Sequence, residues 1–184
     1  MKTGLVIVDI QKDYFPGGNM ALVGMDAAAD KASRLLTWFR DLALPVYHVQ
    51  HLSIRPGATF FVPGTAGVEI HEAVAPRESE ALIRKHFPNA FRDTGLLEAI
   101  RRDGVGHLAV CGAMSHMCID ATTRAAFDLG LQCTVAEDAC ATRDLTFHGE
   151  TVPAREVHAA FMAALSSPYA SVVEAEDCLA SIKR

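Results

Sequence analysis

No stretch of this chain approaches the roughly 20 consecutive apolar residues that a membrane-spanning helix needs. GxGxxG does not follow the first predicted strand, and GxxxxGK[ST] is absent altogether. The two common phosphate-cradling loops are therefore missing, and Gly104-Val105-Gly106 lies after a helix pattern and before a strand, the wrong context for either. Basic residues are scattered and outnumbered, 17 against 22 acidic, for a formal charge of −5. That balance excludes the electrostatic footprint of a nucleic-acid binder. Cysteine is sparse: five residues, at 111, 118, 133, 140 and 178, with no CxxC pair. An odd count in apolar contexts predicts reduced, buried thiols rather than a disulfide framework or a zinc site. The first residues enter a strand pattern almost at once and lack the succession of a signal peptide. A cytoplasmic location is expected, with neither a membrane nor a nucleic acid as partner.

What is present is an alternation of strand and helix patterns without repeats, low-complexity tracts or linkers. The 184 residues suit one domain spanning 1–184 with a sizeable core. Short runs rich in Val, Ile and Leu predict strands at 4–9, 45–50, 81–84, 107–112, 132–137 and 171–174. They lack alternation, as parallel strands buried on both faces do. Helical spacing predicts helices at 25–42, 94–103, 117–129, 152–164 and 176–182. Such alternation implies an α/β fold: a doubly wound, Rossmann-like three-layer sandwich with a six-stranded, mainly parallel sheet and helices on both faces. The longest irregular stretch, residues 51–80, is punctuated by proline and glycine and is expected to act as a lid or binding loop.

Ligands of open α/β sheets sit beyond the carboxyl ends of the strands, where strand order reverses. Two residues that can do chemistry fall at such ends. Asp9 closes the first apolar strand. Cys118 follows the fourth strand and the turn at Gly112, at the start of a helical pattern. If strands one and four are neighbours, the two side chains share one crevice. A helix N-terminus favours thiolate over thiol, and the thiolate is the nucleophile. Taken alone, Cys118 is equally a small apolar filler, Asp9 equally a turn residue, and Lys85, at the end of the third strand, equally a solvated lysine.

Three segments, taken together, resemble the isochorismatase-like cysteine hydrolases. They are Leu5-Val-Ile-Val-Asp9-Ile-Gln-Lys-Asp-Tyr-Phe15, then Arg84-Lys85-His-Phe-Pro-Asn-Ala-Phe91-Arg-Asp-Thr94, then Val110-Cys-Gly112-Ala-Met-Ser-His-Met-Cys118-Ile-Asp-Ala-Thr-Thr-Arg124. Glu137-Asp138-Ala-Cys-Ala-Thr142 is similar to the family's later part. The resemblance implies a catalytic set of Asp9, Lys85 and Cys118. The aspartate would take the thiol proton, the lysine would hold the charges, and the thiolate would attack an amide or urea-type carbonyl to give a thioester. It also implies a non-proline cis peptide between Ala113 and Met114, with the N–H groups of Met114 and Cys118 receiving the carbonyl oxygen.

Relatives that hydrolyse nicotinamide carry a metal motif after the second strand. Here His51 and Ser53 stand at its first two positions, so no metal and no cofactor are expected, and nicotinamide is disfavoured as substrate. Cys118 argues against vinyl-ether cleavage, which the true isochorismatases carry out without a cysteine. Phe15, Phe60, Phe61 and Phe91 are candidates for an apolar rim, and His51 and His116 for polar contacts to substrate. The expected activity is hydrolysis of a small non-peptide amide, urea or carbamoyl C–N bond by a homodimer or homotetramer. The competing expectation is a silent small-molecule-binding or scaffold member of the same fold.

Overall fold

The structure, a computed structural model, describes residues 1–182. The last two residues of the expected 1–184 domain lie outside them. Strands β1 (Lys2–Val8), β2 (Val46–His51), β3 (Ala81–Lys85), β4 (Val105–Ala113) and β5 (Gln132–Ala141) alternate with helices α1 (Met25–Asp41), α2 (Leu96–Arg102) and α3 (Asp120–Asp128). A hairpin of β6 (Leu145–Phe147) and β7 (Glu150–Val152) precedes helix α4 (Ala154–Leu165), strand β8 (Ser171–Val173) and helix α5 (Ala175–Ser181). Among the described residues, no helix is long and apolar enough to cross a membrane.

The six-stranded sheet runs β3-β2-β1-β4-β5-β8, and every pairing is parallel. Its central strand explains its composition. Leu5 and Ile7 of β1 pack on one face with residues of α1 and α5. Val6 and Val8 pack on the other with residues of α2, α3 and α4. Both faces are covered, so the strand reads as an unbroken apolar run. The chain builds outward from β1 to β3 and then returns to lay β4 against the other side of β1, with Val8 opposite Gly112. Strand order therefore reverses between β1 and β4. Asp9 emerges at one lip of that crevice, and the turn that carries Cys118 emerges at the other.

Local differences from the sequence reading have physical causes. β3 runs one residue further than expected, to Lys85, which pairs with His51 of β2. β5 continues to Ala141, past an irregularity between Val110 and Gly112 in its register with β4. Residues 115–119 wind as a wide π turn, so α3 begins at Asp120, after Cys118. The β6–β7 hairpin was not anticipated. Its two-residue loop, His148-Gly149, has positive φ at both positions, 51° and 84°. That geometry belongs to the tight hairpin turn whose twist matches its strands, and glycine relieves its steric cost. Helix α4 accordingly starts after Pro153, where the Asp144 carboxylate accepts the Ala154 N–H at 2.7 Å.

Candidate active site

Three strand ends and one turn bring four side chains into contact. Asp9 lies directly after β1, wholly buried, in a left-handed backbone conformation (φ 53°) that aspartate tolerates better than most residues. Lys85 ends β3 and is 1% exposed. Its ammonium donates to Asp9 Oδ2 at 2.7 Å, to His51 Nδ1 at 2.9 Å and to Cys118 Sγ at 3.2 Å. An ammonium has three protons, and these contacts use all of them. The second carboxylate oxygen, Asp9 Oδ1, is buried without a hydrogen-bond partner among the described residues. It is the one acceptor in the cluster still free to receive a proton.

The turn that carries Cys118 begins at the Ala113–Met114 peptide, which is cis. Met114 O accepts from both Met117 N (3.0 Å) and Ile119 N (3.2 Å). Beneath it, Ser115 Oγ contacts Ala141 O at 3.3 Å and His158 Nδ1 at 2.9 Å, and His158 Nε2 meets Glu137 Oε2 at 3.0 Å. The turn is thus tied to β5 and α4, which fixes the position of its thiol. Gln11, wholly buried, performs the same service for β2. Its side-chain carbonyl accepts from His51 N, and its amide donates to His51 O and Val68 O.

Burial governs the electrostatics. It pushes the Cys118 thiol up to about 12; the nearby Asp9 carboxylate adds to the rise and Lys85 opposes it. The helix-terminus preference for thiolate is thus opposed twice, by a side chain only 3% exposed and by an α3 that starts two residues later. For Lys85, burial alone favours the neutral amine. The Asp9 and Cys118 groups beside it outweigh that burial and hold the lysine above its ordinary value. His51 is lowered to about 4, first by burial and then by Lys85. Its imidazole is neutral near pH 7. Alkylation of Cys118 by iodoacetamide should climb about tenfold per pH unit from pH 7 to 10, because the thiolate fraction rises that way below the pKa. Peptide mapping after timed labelling measures it, and a plateau below pH 8 would instead reveal a preformed thiolate.

A cavity of about 400 Å³ opens onto this cluster. Tyr14, Phe60, Phe61, Phe87, Met114 and Met117 give it an apolar wall, and Cys118 and His51 line it beside the lysine. Tyr14 and Phe61 pack with ring centroids 4.5 Å apart, and Phe61 N donates to the buried Asp13 carboxylate at 2.6 Å. A larger cavity of about 740 Å³, beside Phe127 and Tyr169 at the β5–β8 edge, shares no lining residue with this one and holds none of its reactive groups. Size alone would therefore select the wrong place.

Of the residues expected to line a substrate pocket, His51, Phe60 and Phe61 do so, as do Met114 and Cys118. Phe15, Phe91 and His116 do not. Phe15 is buried and stacks on His71 at 3.7 Å, Phe91 packs into the core on the α2–α3 side, and His116 bonds Thr142 Oγ1 at 2.6 Å. Conversely, Tyr14, Phe87 and Met117 line the cavity without having been anticipated. Their signal was proximity: Phe87 follows Lys85 by two residues and Met117 precedes Cys118 by one. The ligand atoms of Asp9, His51 and Cys118 lie within 4.8 Å of one another, the one group among the described residues spaced to hold a metal ion. Lys85 Nζ is bonded to all three, so the chain itself supplies the cation this cluster attracts.

The sequence matches the family model described as the isochorismatase domain over residues 3–178. The chain belongs to the isochorismatase family. Among its isochorismatase-family relatives is protein YddQ of Bacillus subtilis, 52% identical over 176 residues that cover 96% of this chain and 98% of that one. A streptothricin hydrolase of Streptomyces noursei is 37% identical over 153 residues, 82% of this chain and 54% of that enzyme. A crystal structure from Oleispira antarctica, assigned to the isochorismatase hydrolases, is similar at a TM-score of 0.94 and 50% identity, covering 98% of this chain and 97% of that one.

Proposed function

We propose that this isochorismatase-family protein is a cysteine hydrolase of small non-peptide amide, urea or carbamoyl C–N bonds. One observation carries the reading: Lys85 Nζ is hydrogen-bonded at once to Asp9 and Cys118, at the edge of a mostly apolar cavity, while Asp9 Oδ1 stays unpartnered. A neutral thiol is a weak nucleophile and needs an adjacent base and cation. As Sγ attacks the substrate carbonyl, its proton passes to Asp9, and Lys85 stabilises the sulfur charge as it develops. The N–H groups of Met114 and Cys118 receive the oxyanion. Removing one such donor typically costs about 2.7–4 kcal/mol of barrier. Collapse breaks the C–N bond, and the proton held by Asp9 leaves with ammonia or an amine. Water then attacks the thioester, with Asp9 again as base, to release the acid and restore the thiol.

The elevated thiol pKa supports this order of events, because proton transfer accompanies attack rather than preceding it. The aromatic wall favours compact substrates and excludes bulk water, which strengthens the electrostatics inside. A hydrolase among the relatives is in keeping with the reading. The test is a panel of carbamoylated amines, ureas, ureido acids and short primary amides, read by released ammonia, with intact-protein mass spectrometry to trap an acyl adduct. Turnover of a panel member, and its loss in Cys118→Ser, is the expected outcome. Activity that survives Cys118→Ser removes the mechanism.

A further inference from the structure

The contact between Lys85 and His51 fixes more than the lysine. An ammonium can only donate, so His51 Nδ1, 2.9 Å from Lys85 Nζ, must be the acceptor and carry no proton. A neutral imidazole holds its proton on the other nitrogen. His51 therefore exists as the Nε2–H tautomer. The ring is held from both sides of its backbone, since Gln11 accepts from His51 N at 2.7 Å and donates to His51 O at 2.9 Å. Phe61 packs against it, ring centroids 5.9 Å apart. Nε2 has no hydrogen-bond partner among the described residues, and His51 lines the cavity. The wall around it is otherwise mostly aromatic and aliphatic, with Ser53, Arg55 and His86 as its other polar residues.

We infer that His51 is a specificity-determining residue: its Nε2–H is a fixed donor that selects small amides or ureas bearing a second acceptor oxygen, a carboxylate or a further carbonyl, near the scissile bond. This rests on the hydrolase reading for its chemistry and on hydrogen-bond logic for its selectivity. A substrate that fills the cavity displaces water from Nε2–H. Unless it brings an acceptor, that donor is left desolvated and unpaired, which binding must then overcome. His51 also links recognition to chemistry, because the ring that grips the substrate is the ring that holds the lysine beside Cys118.

Two measurements test it. In ¹⁵N-imidazole spectra of the Cys118→Ser protein at pH 7.5, His51 should show a protonated Nε2 and a bare Nδ1. Malonamate, succinamate and ureidoacetate should shift the Nε2 resonance, and butyramide and valeramide should leave it in place. In the Cys118 protein, His51→Asn keeps an acceptor oxygen for Lys85 while its own N–H groups fall about one bond short of the Nε2 position. The ratio of kcat/KM for malonamate over butyramide should then fall roughly tenfold, the order supplied by one hydrogen bond. A protonated Nδ1, a resonance that responds alike to both ligand groups or to neither, or an unchanged ratio overturns the assignment. A protein that hydrolyses no panel member removes the proposed reaction, while the tautomer and ligand shifts still decide the role of His51.

Discussion

Lys85→Met is expected to lower kcat/KM by on the order of 10³-fold and to destabilise the fold by about 3–5 kcal/mol. The size of the second effect follows from burial. Lys85 and Asp9 are paired at 2.7 Å with both side chains inaccessible to solvent. Removing the ammonium leaves a carboxylate in the interior with no counter-charge, and it leaves His51 Nδ1 and Cys118 Sγ without their donor. Asp9→Asn does the converse, stranding the ammonium, and asparagine accepts the left-handed backbone at that position. Each single variant should be inactive and less stable. The double variant Asp9→Asn/Lys85→Met should be equally inactive yet recover at least about 2 kcal/mol of the summed losses, because it buries no unpaired charge. Urea unfolding at pH 7.5 and ammonia release measure the two quantities separately. Additive stability losses would mean that water reaches the pair and screens it. A Lys85→Met protein retaining a tenth of the activity would remove the lysine from the mechanism.

The parts of this molecule that could be read from the sequence are those dictated by local pattern. The apolar runs of β1 and β4 announce buried parallel strands, and the residue that ends a central strand is pointed at the crevice by topology alone. Asp9 stood out for that reason, whereas Lys85, on the edge strand β3, was singled out only by the family resemblance. Which of the candidate aromatics reach the cavity depends on contacts between distant segments. Phe60 and Phe61 reach the cavity because the Asp13 carboxylate catches the Phe61 N–H, and the amide of Gln11 holds Val68 O in the same loop. Phe15 looks equally suitable by position but turns away to stack on His71. The helix start near Cys118 is visible in a sequence, whereas the strength of the desolvation that opposes it depends on the assembled fold. His51 was a candidate for substrate contact, but its bond to Lys85 was hidden. It appears only when β3 pairs with β2 and sets Lys85 directly beside it. The β6–β7 hairpin was missed because strands of three residues carry too little periodicity to register.

Gly112→Ala should be the most damaging small substitution in the chain, with a loss above about 4 kcal/mol and little soluble protein. Gly112 lies opposite Val8 at the reversal of the sheet, with φ at 122°. A Cβ there would overlap the Val8 carbonyl oxygen and lie 2.8 Å from both Val8 N and its carbonyl carbon. Backbone in a paired strand cannot step aside as a flexible side chain can. Gly130→Ala is the control. Its φ of 83° is also left-handed, but a Cβ there meets nothing within 4 Å, so it should cost only about 1–2 kcal/mol. The comparison separates the strain of the backbone angle from the closeness of two strands. That closeness also bears on the chemistry: Val8 leads directly into Asp9, and Gly112 leads through Ala113 into the turn that carries Cys118. A Gly112→Ala protein that folds by parting β1 from β4 should therefore lose activity in step with the separation of carboxylate and thiol. Thermal unfolding of both variants, with kcat/KM of whatever remains folded, decides the matter. Equal destabilisation by the two alanines would show that the sheet has room at Gly112 and that the approach of β1 and β4 is not what holds the two groups together.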